Sequence, residues 1–188
     1  MMRIVNFEEI QGMLLRVPGL INSHEKRDQH FFTFVKDWLI QMEQILANNH
    51  LPVTANVAVL RGVLISTERG LSPNDIVFKG KATMRKIKEA SAAEILRRAV
   101  ELVSDAIKVP ARQISEGEML MQQLLALAAL KGLLSVNLNV EKHSDKLKII
   151  WQAINADPEL APVSTHLTGL VGFSDALILL DRLLPPNL

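Results

Sequence analysis

Between Ser115 and Leu134 the chain sets up a helix start and then runs apolar almost without interruption. Ser115 and Glu118 stand in the S-x-x-E spacing of a capping box, where each side chain satisfies a backbone N–H left over at a helix N-terminus. Met119, Leu120, Met121, the run Leu124 to Leu130, Leu133 and Leu134 follow, broken by Gln122, Gln123, Lys131 and Gly132. A helix that is apolar on every face must be enclosed by other elements or by a partner chain. The spacing therefore predicts a buried central helix over about 116–134. The run is shorter than the ~20 residues a membrane span requires and carries Lys131, so no membrane span is expected.

The remaining segments supply helices to surround it. Asn6, with Glu9 three residues on, predicts a first helix from about Phe7 to Val17, closed by Pro18. From a cap at Ser23, Phe31, Val35, Trp38, Met42 and Ile45 recur at alternating four- and three-residue steps, a heptad-like seam ending at Asn48 and Asn49. Thr54 to Glu68, stopped by Gly70, reads as a helix, although its β-branched residues also allow a strand for part of it. Ser72, Pro73 and Asp75 have the pattern of a helix start that Gly80 soon cuts short. Met84, Ile87, Ile95, Ala99, Leu102 and Ala106 keep one helical face from Thr83 to Lys108, and Val109-Pro110 is expected to end it. Val136, Leu138 and Val140 alternate with polar residues, the pattern of a minor β element near 136–140 with Ile76 to Phe78 as its only candidate partner. Ser144 opens a helix carrying Leu147, Ile150, Trp151 and Ile154, and Ser174 caps a last one over 174–184 before Pro185-Pro186. Pro158 and Pro162 mark 155–166 as a flexible linker. The sum is an all-α, multi-helix globular bundle, a single helical domain over 1–188.

The chemistry-bearing patterns fail one by one. No two of His24, His30, His50, His143 and His166 fall three or four apart, so no helix presents a paired imidazole, and no metal ligand set or cofactor site is assigned. The chain has no cysteine, which removes disulfides, thiolate metal sites and cysteine nucleophiles together and fits a cytoplasmic protein. Gly172-Phe173-Ser174-Asp175-Ala176 lacks the second glycine of a nucleophile elbow, and no histidine follows it to serve as base. Lys79-Gly80-Lys81-Ala82-Thr83 departs from a P-loop, with Asp75 where the first glycine is needed and Ala82 directly after the lysine. No catalytic residue is assigned.

One electrical asymmetry survives. Lys79, Lys81, Arg85, Lys86, Lys88, Arg97 and Arg98 face only Glu89 and Glu94 over residues 79–98, while the whole chain is nearly neutral at +1. At 100° per residue only Lys86 and Arg97 align closely, so a solvated face with pairs such as Glu94 to Arg98 competes with an anion-binding surface. The last helix adds a second candidate. Leu177, Leu180 and Leu184 share one face while Ile178 and Leu179 lie off it, so a second copy could cover what one monomer leaves exposed. The sequence thus favours a non-enzymatic, adaptor-like helical interaction or regulatory protein, with a protein partner or homo-oligomer such as a homodimer. The alternatives are a nucleic-acid or anionic-ligand binder using 79–98, and an enzyme whose dispersed site leaves no spacing to read.

Overall fold

The computed structural model describes residues 2–71, 83–134 and 142–184. Among them are eight α-helices and no strand: α1 (Ile4–Leu14), α2 (Val17–Glu25), α3 (Phe31–Asn48), α4 (Thr54–Glu68), α5 (Met84–Leu130), α6 (His143–Ala156), α7 (Ala161–Val171) and α8 (Phe173–Leu183). The protein is all-α. Its contacts divide into two compact units, Val5–Lys108 and Val109–Leu188 with Met1–Ile4, and the division falls inside α5. The expected β element at 136–140, the helix start at Ser72 to Asp75, Ile76 to Phe78 and the Pro185-Pro186 stop lie outside the described residues.

In the Val5–Lys108 unit the first helix is two. Pro18 stands in the first turn of α2, where its missing N–H is no loss and its fixed φ suits the helix, so it opens a helix instead of closing one. Asn6 falls inside α1 and Ser23 inside α2. The start of α3 is held by Asp28, whose Oδ1 accepts the His30 N–H at 2.9 Å. The heptad-like seam is consumed by this unit's own core: Phe31, Val35, Trp38 and Met42 are buried, joined by Leu39 and Leu46, with Ile45 half-buried. Trp38 donates its indole N–H to the Met13 carbonyl at 2.9 Å, satisfying a polar group that burial would otherwise penalise. α4 occupies the expected residues as a helix throughout. It ends in a Schellman motif, with Gly70 at φ +90° and Leu71 N–H donating to the Ser66 carbonyl at 3.0 Å.

α5 merges the two helices expected over 83–108 and 116–134. Pro110 lies in its interior, where it deprives the Ala106 carbonyl of a donor at a typical cost of ~3 kcal/mol. Burial of Ile107 and Ile114 on the adjoining turns, each worth roughly 1.5–3 kcal/mol, outweighs that cost. Ser115 and Glu118 are therefore mid-helix residues, not a cap, and Ser91 also lies within the helix. The helix ends at Leu130, four residues short of the expected Leu134, because Gly132 at φ +71° closes a second Schellman motif with Leu133 N–H on the Ala128 carbonyl at 2.9 Å.

In the Val109–Leu188 unit α5 is covered on one side only. Met121, Leu124, Leu125 and Ala128 are buried, but Met119 is 56% exposed, Leu127 46% and Leu130 85%. The expectation of a helix enclosed on every face is thus overturned. Gly117 marks the close approach of α5 to α7 and α8, since a Cβ there would sit 2.7 Å from Val171 Cγ1 and 3.4 Å from methyls of Leu167 and Leu179. α6 buries Leu147, Ile150, Trp151 and Ile154 as the sequence predicts. The stretch 155–166 holds the end of α6, a short turn and the first half of α7. Asp157 Oδ1 accepts the Glu159 and Leu160 N–H groups at 2.9 and 3.2 Å, and Pro162 sits in the first turn of α7. α8 starts at Phe173 after Gly172 at φ +88°, without a side-chain bond from Ser174. Asp175 in its first turn is buried and accepts the Ile4 N–H at 2.9 Å, with Arg3 Nε 3.7 Å from its other oxygen.

Candidate functional site

In the Val5–Lys108 unit a hollow of about 530 Å³ lies between α1 and α3, and three adjoining cavities form a groove between α2 and the first half of α5. Its wide end, about 670 Å³, is lined by His24, Glu25, Arg27, Thr83, Arg85, Lys86 and Glu89. A middle stretch adds Ala90, Ala93, Glu94 and Arg97 to His24, Lys86 and Glu89. Beyond Ala93 and Arg97 lies an apolar cavity of about 200 Å³, walled by Val17, Ile21, His24, Phe31, Leu96 and Val100. His24 borders all three. The α5 contribution is one helical face, because residues 86, 90, 93, 97 and 100 recur at three- and four-residue steps.

Ion pairing within α5 absorbs much of the predicted basic set. Arg85 Nε bonds Glu89 Oε1 at 2.7 Å, and its Nη2 donates to the Arg27 carbonyl at 3.1 Å. Arg97 holds Glu94 through Nε and Nη2 at 2.9 and 2.8 Å and reaches Glu101 through Nη1. Arg98 Nε shares Glu94 at 2.7 Å. The bonds from Arg97, then those from Arg98, hold the Glu94 carboxyl down at about 2. Lys88 points elsewhere, its Nζ lying 5.9 Å from the Phe32 ring centroid in a cation–π contact. Lys86 and Arg27 form no ion pair with a described residue. The groove thus brings together Arg85, Lys86 and Arg97 of the predicted set, and leaves Lys88 and Arg98 out of its lining. Lys79 and Lys81 lie outside the described residues. Sequence reasoning missed His24, Glu25 and Arg27, which reach the groove only through the packing of α2.

The predicted self-association residues divide differently. Leu180 is fully buried in the Val109–Leu188 unit, and Leu177 and Leu184 are half-buried. The covered face of α8 is Asp175, Ala176, Leu179 and Leu180, so Leu180 is core and cannot be an exposed contact. In this unit Phe173 on α8 is exposed, and on α5 Met119, Leu127 and Leu130 are exposed together within an arc of roughly 80° at 100° per residue.

Among the described residues no three His, Asp or Glu side chains converge on a point suited to a metal ion. His143 Nε2 lies 2.5 Å from Asp181 Oδ1 and His166 Nε2 4.0 Å from Glu116, both exposed pairs. No single helix among the described residues is long and apolar enough to cross a membrane. Compared with family models, with curated proteins and with solved structures, the chain finds no significant match.

Proposed function

We propose that this chain is a non-enzymatic, adaptor-like interaction protein that works through helix–helix contacts, with a second copy of itself as the first partner. The observation that carries the reading is the outer face of α5 beside Met119, Leu127 and Leu130. It holds apolar side chains that the chain's own unit leaves in water, where covering them releases roughly 25 cal/mol for each Å² of apolar surface. Between Met119 and Leu130 no charge interrupts that face, and the exposed Gln123 amide is the polar group a docking helix must desolvate or hydrogen-bond there. A two-fold dimer is the commonest closed arrangement for such a surface. A cysteine-free chain suits a reducing compartment, and we assign the cytoplasm as its place of work. Sedimentation equilibrium tests the proposal. Wild-type protein should show concentration-dependent dimer, and Leu127→Glu with Leu130→Glu should sediment as monomer with an unchanged circular-dichroism spectrum. Monomer alone at every concentration in the wild type would refute self-association.

A second reading, binding of polyanions, rests on Lys86 and Arg27 at the wide end of the groove. It ranks lower because Arg85, Arg97 and Arg98 already face Glu89, Glu94 and Glu101. Retention on heparin that falls steeply with salt would support it, since counterion release makes phosphate binding salt-sensitive.

A further inference from the structure

We propose that the groove between α2 and α5 is a receptor for an acidic amphipathic helix of a partner protein, with an apolar anchor at one end and carboxylates at the other. The apolar end has the size of an anchor pocket. At about 200 Å³ it lies below the roughly 300–1,000 Å³ of cavities that hold metabolite-sized ligands, and its walls of Val17, Ile21, Phe31, Leu96 and Val100 suit one large aliphatic or aromatic side chain. The middle of the groove is floored by Ala90 and Ala93, whose short side chains let another backbone lie close along the face. From Lys86 to Leu96 is ten residues of α5, or ~15 Å at 1.5 Å per residue, the length of about three helical turns. A docked helix therefore reaches both ends, reading the groove through anchors at i, i+3/i+4 and i+7.

Charge decides the sign of the partner. Glu89 and Glu94 are taken up by Arg85, Arg97 and Arg98. What is left at the wide end is Arg27 and Lys86 with His24 beside them, against Glu25 as the carboxylate without an ion pair among the described residues. A partner carboxylate placed one to two turns from the apolar anchor meets two cations that have no ion partner among the described residues, whereas a partner lysine meets both as repulsion. The inference is separate from self-association through the outer α5 face. Peptide binding and sedimentation are read independently, so either can fail alone.

The test uses the full chain and two fluorescein-labelled designed helical peptides, both with leucines at i and i+4. One carries glutamates at i+7, i+8 and i+11, the other lysines at the same places. Fluorescence anisotropy in 50 mM salt should show the glutamate peptide binding at least tenfold tighter than the lysine peptide. Lys86→Glu with Arg27→Glu should remove that preference or invert it. Ala93→Gln, at a half-exposed floor position, should weaken the glutamate peptide at least tenfold while the thermal midpoint stays within a few degrees of wild type. Equal binding of the two peptides, no binding of either, or glutamate-peptide binding unaffected by Ala93→Gln in a folded variant would overturn the proposal. Displacement of the glutamate peptide by decanoate at equal or lower concentration would overturn it in favour of a small amphiphile.

Discussion

The two halves of α5 are one helix doing two kinds of surface work. From Met84 to Lys108 it carries Arg85, Lys86, Lys88, Glu89, Glu94, Arg97, Arg98, Glu101, Asp105 and Lys108, and many of these pair with one another at three- and four-residue spacing. Its solvent face is largely charged, and its buried side is Ser91, Ala92, Ile95, Leu96, Ala99, Val103 and Ile107. From Ala111 to Leu130 only Arg112, Glu116 and Glu118 are charged, and the outer face holds Met119, Leu127 and Leu130. An isolated helix with a charged outer face is finished as it stands, whereas one with an apolar outer face has area left to cover. Composition, not burial, separates the halves, since each buries a full stripe.

The largest effect comes from setting the two faces of the second half against each other. Leu124→Asp places a charge where the side chain has no exposure and no partner, and should cost several kcal/mol, enough to abolish cooperative thermal unfolding. Leu130→Asp, at 85% exposure, should leave the monomer's midpoint within about 0.5 kcal/mol of wild type. Equal damage from both would mean that α5 is enclosed on all sides after all.

The junction of the halves offers the next test. Pro110→Ala supplies the N–H that the Ala106 carbonyl lacks and removes the ring's clash with the preceding turn, so it should stabilise the protein by ~1–3 kcal/mol, read as a higher urea midpoint. Closer packing beyond the junction predicts an effect of opposite sign. Gly117→Ala gains ~1 kcal/mol of helix propensity, but its Cβ meets the stiff Val171 at 2.7 Å. Overpacking of that kind costs ~1–3 kcal/mol, so a net loss of about 1 kcal/mol is expected. Gly62→Ala in α4, where a Cβ meets nothing within 4 Å, should gain about 0.5–1 kcal/mol and serves as the control.

These substitutions also locate what the sequence could and could not say. Periodicity sufficed for the all-α class and for the buried stripes of α3 and α6, whereas α4 and α8 stand where expected as helices but bury other faces, with Val59 exposed on α4 and Asp175 and Leu179 buried on α8. Proline misled three times in different ways. Pro18 and Pro162 begin helices and Pro110 lies inside one, because a proline's local signal does not reveal whether packing on the neighbouring turns can absorb its missing N–H. Ser115 and Glu118 have cap spacing, but a capping box needs unsatisfied N–H groups, and a helix already running through has none there. At the groove, the alignment of Lys86 with Arg97 was legible because eleven residues return nearly to the same face. His24 and Arg27 were not, as only the packing of α2 on α5 brings them there.

The smallest predicted effect isolates what the charged half gains from its ion pairs. Glu94 is held at about 2 by Arg97 first and Arg98 second. Its folded value lies below the 4.5 it has without partners, so its pairing adds stability that is complete above about pH 4.5 and disappears as the pH falls toward 2. The side chain is partly exposed, and solvent screening keeps the contribution under about 1 kcal/mol. Wild type should therefore melt above Glu94→Gln at pH 7, by no more than a few degrees, with the two curves converging as the pH approaches 2. Raising salt to 1 M at pH 7 should narrow the same gap, because the pairs are at the surface. Glu118→Gln in the second half, where the carboxylate has no ion pair among the described residues, should show neither the gap nor its pH dependence. A gap for Glu94→Gln that persisted unchanged to pH 2 would place its role in packing instead of charge, and the contrast between the two halves would then rest on their apolar faces alone.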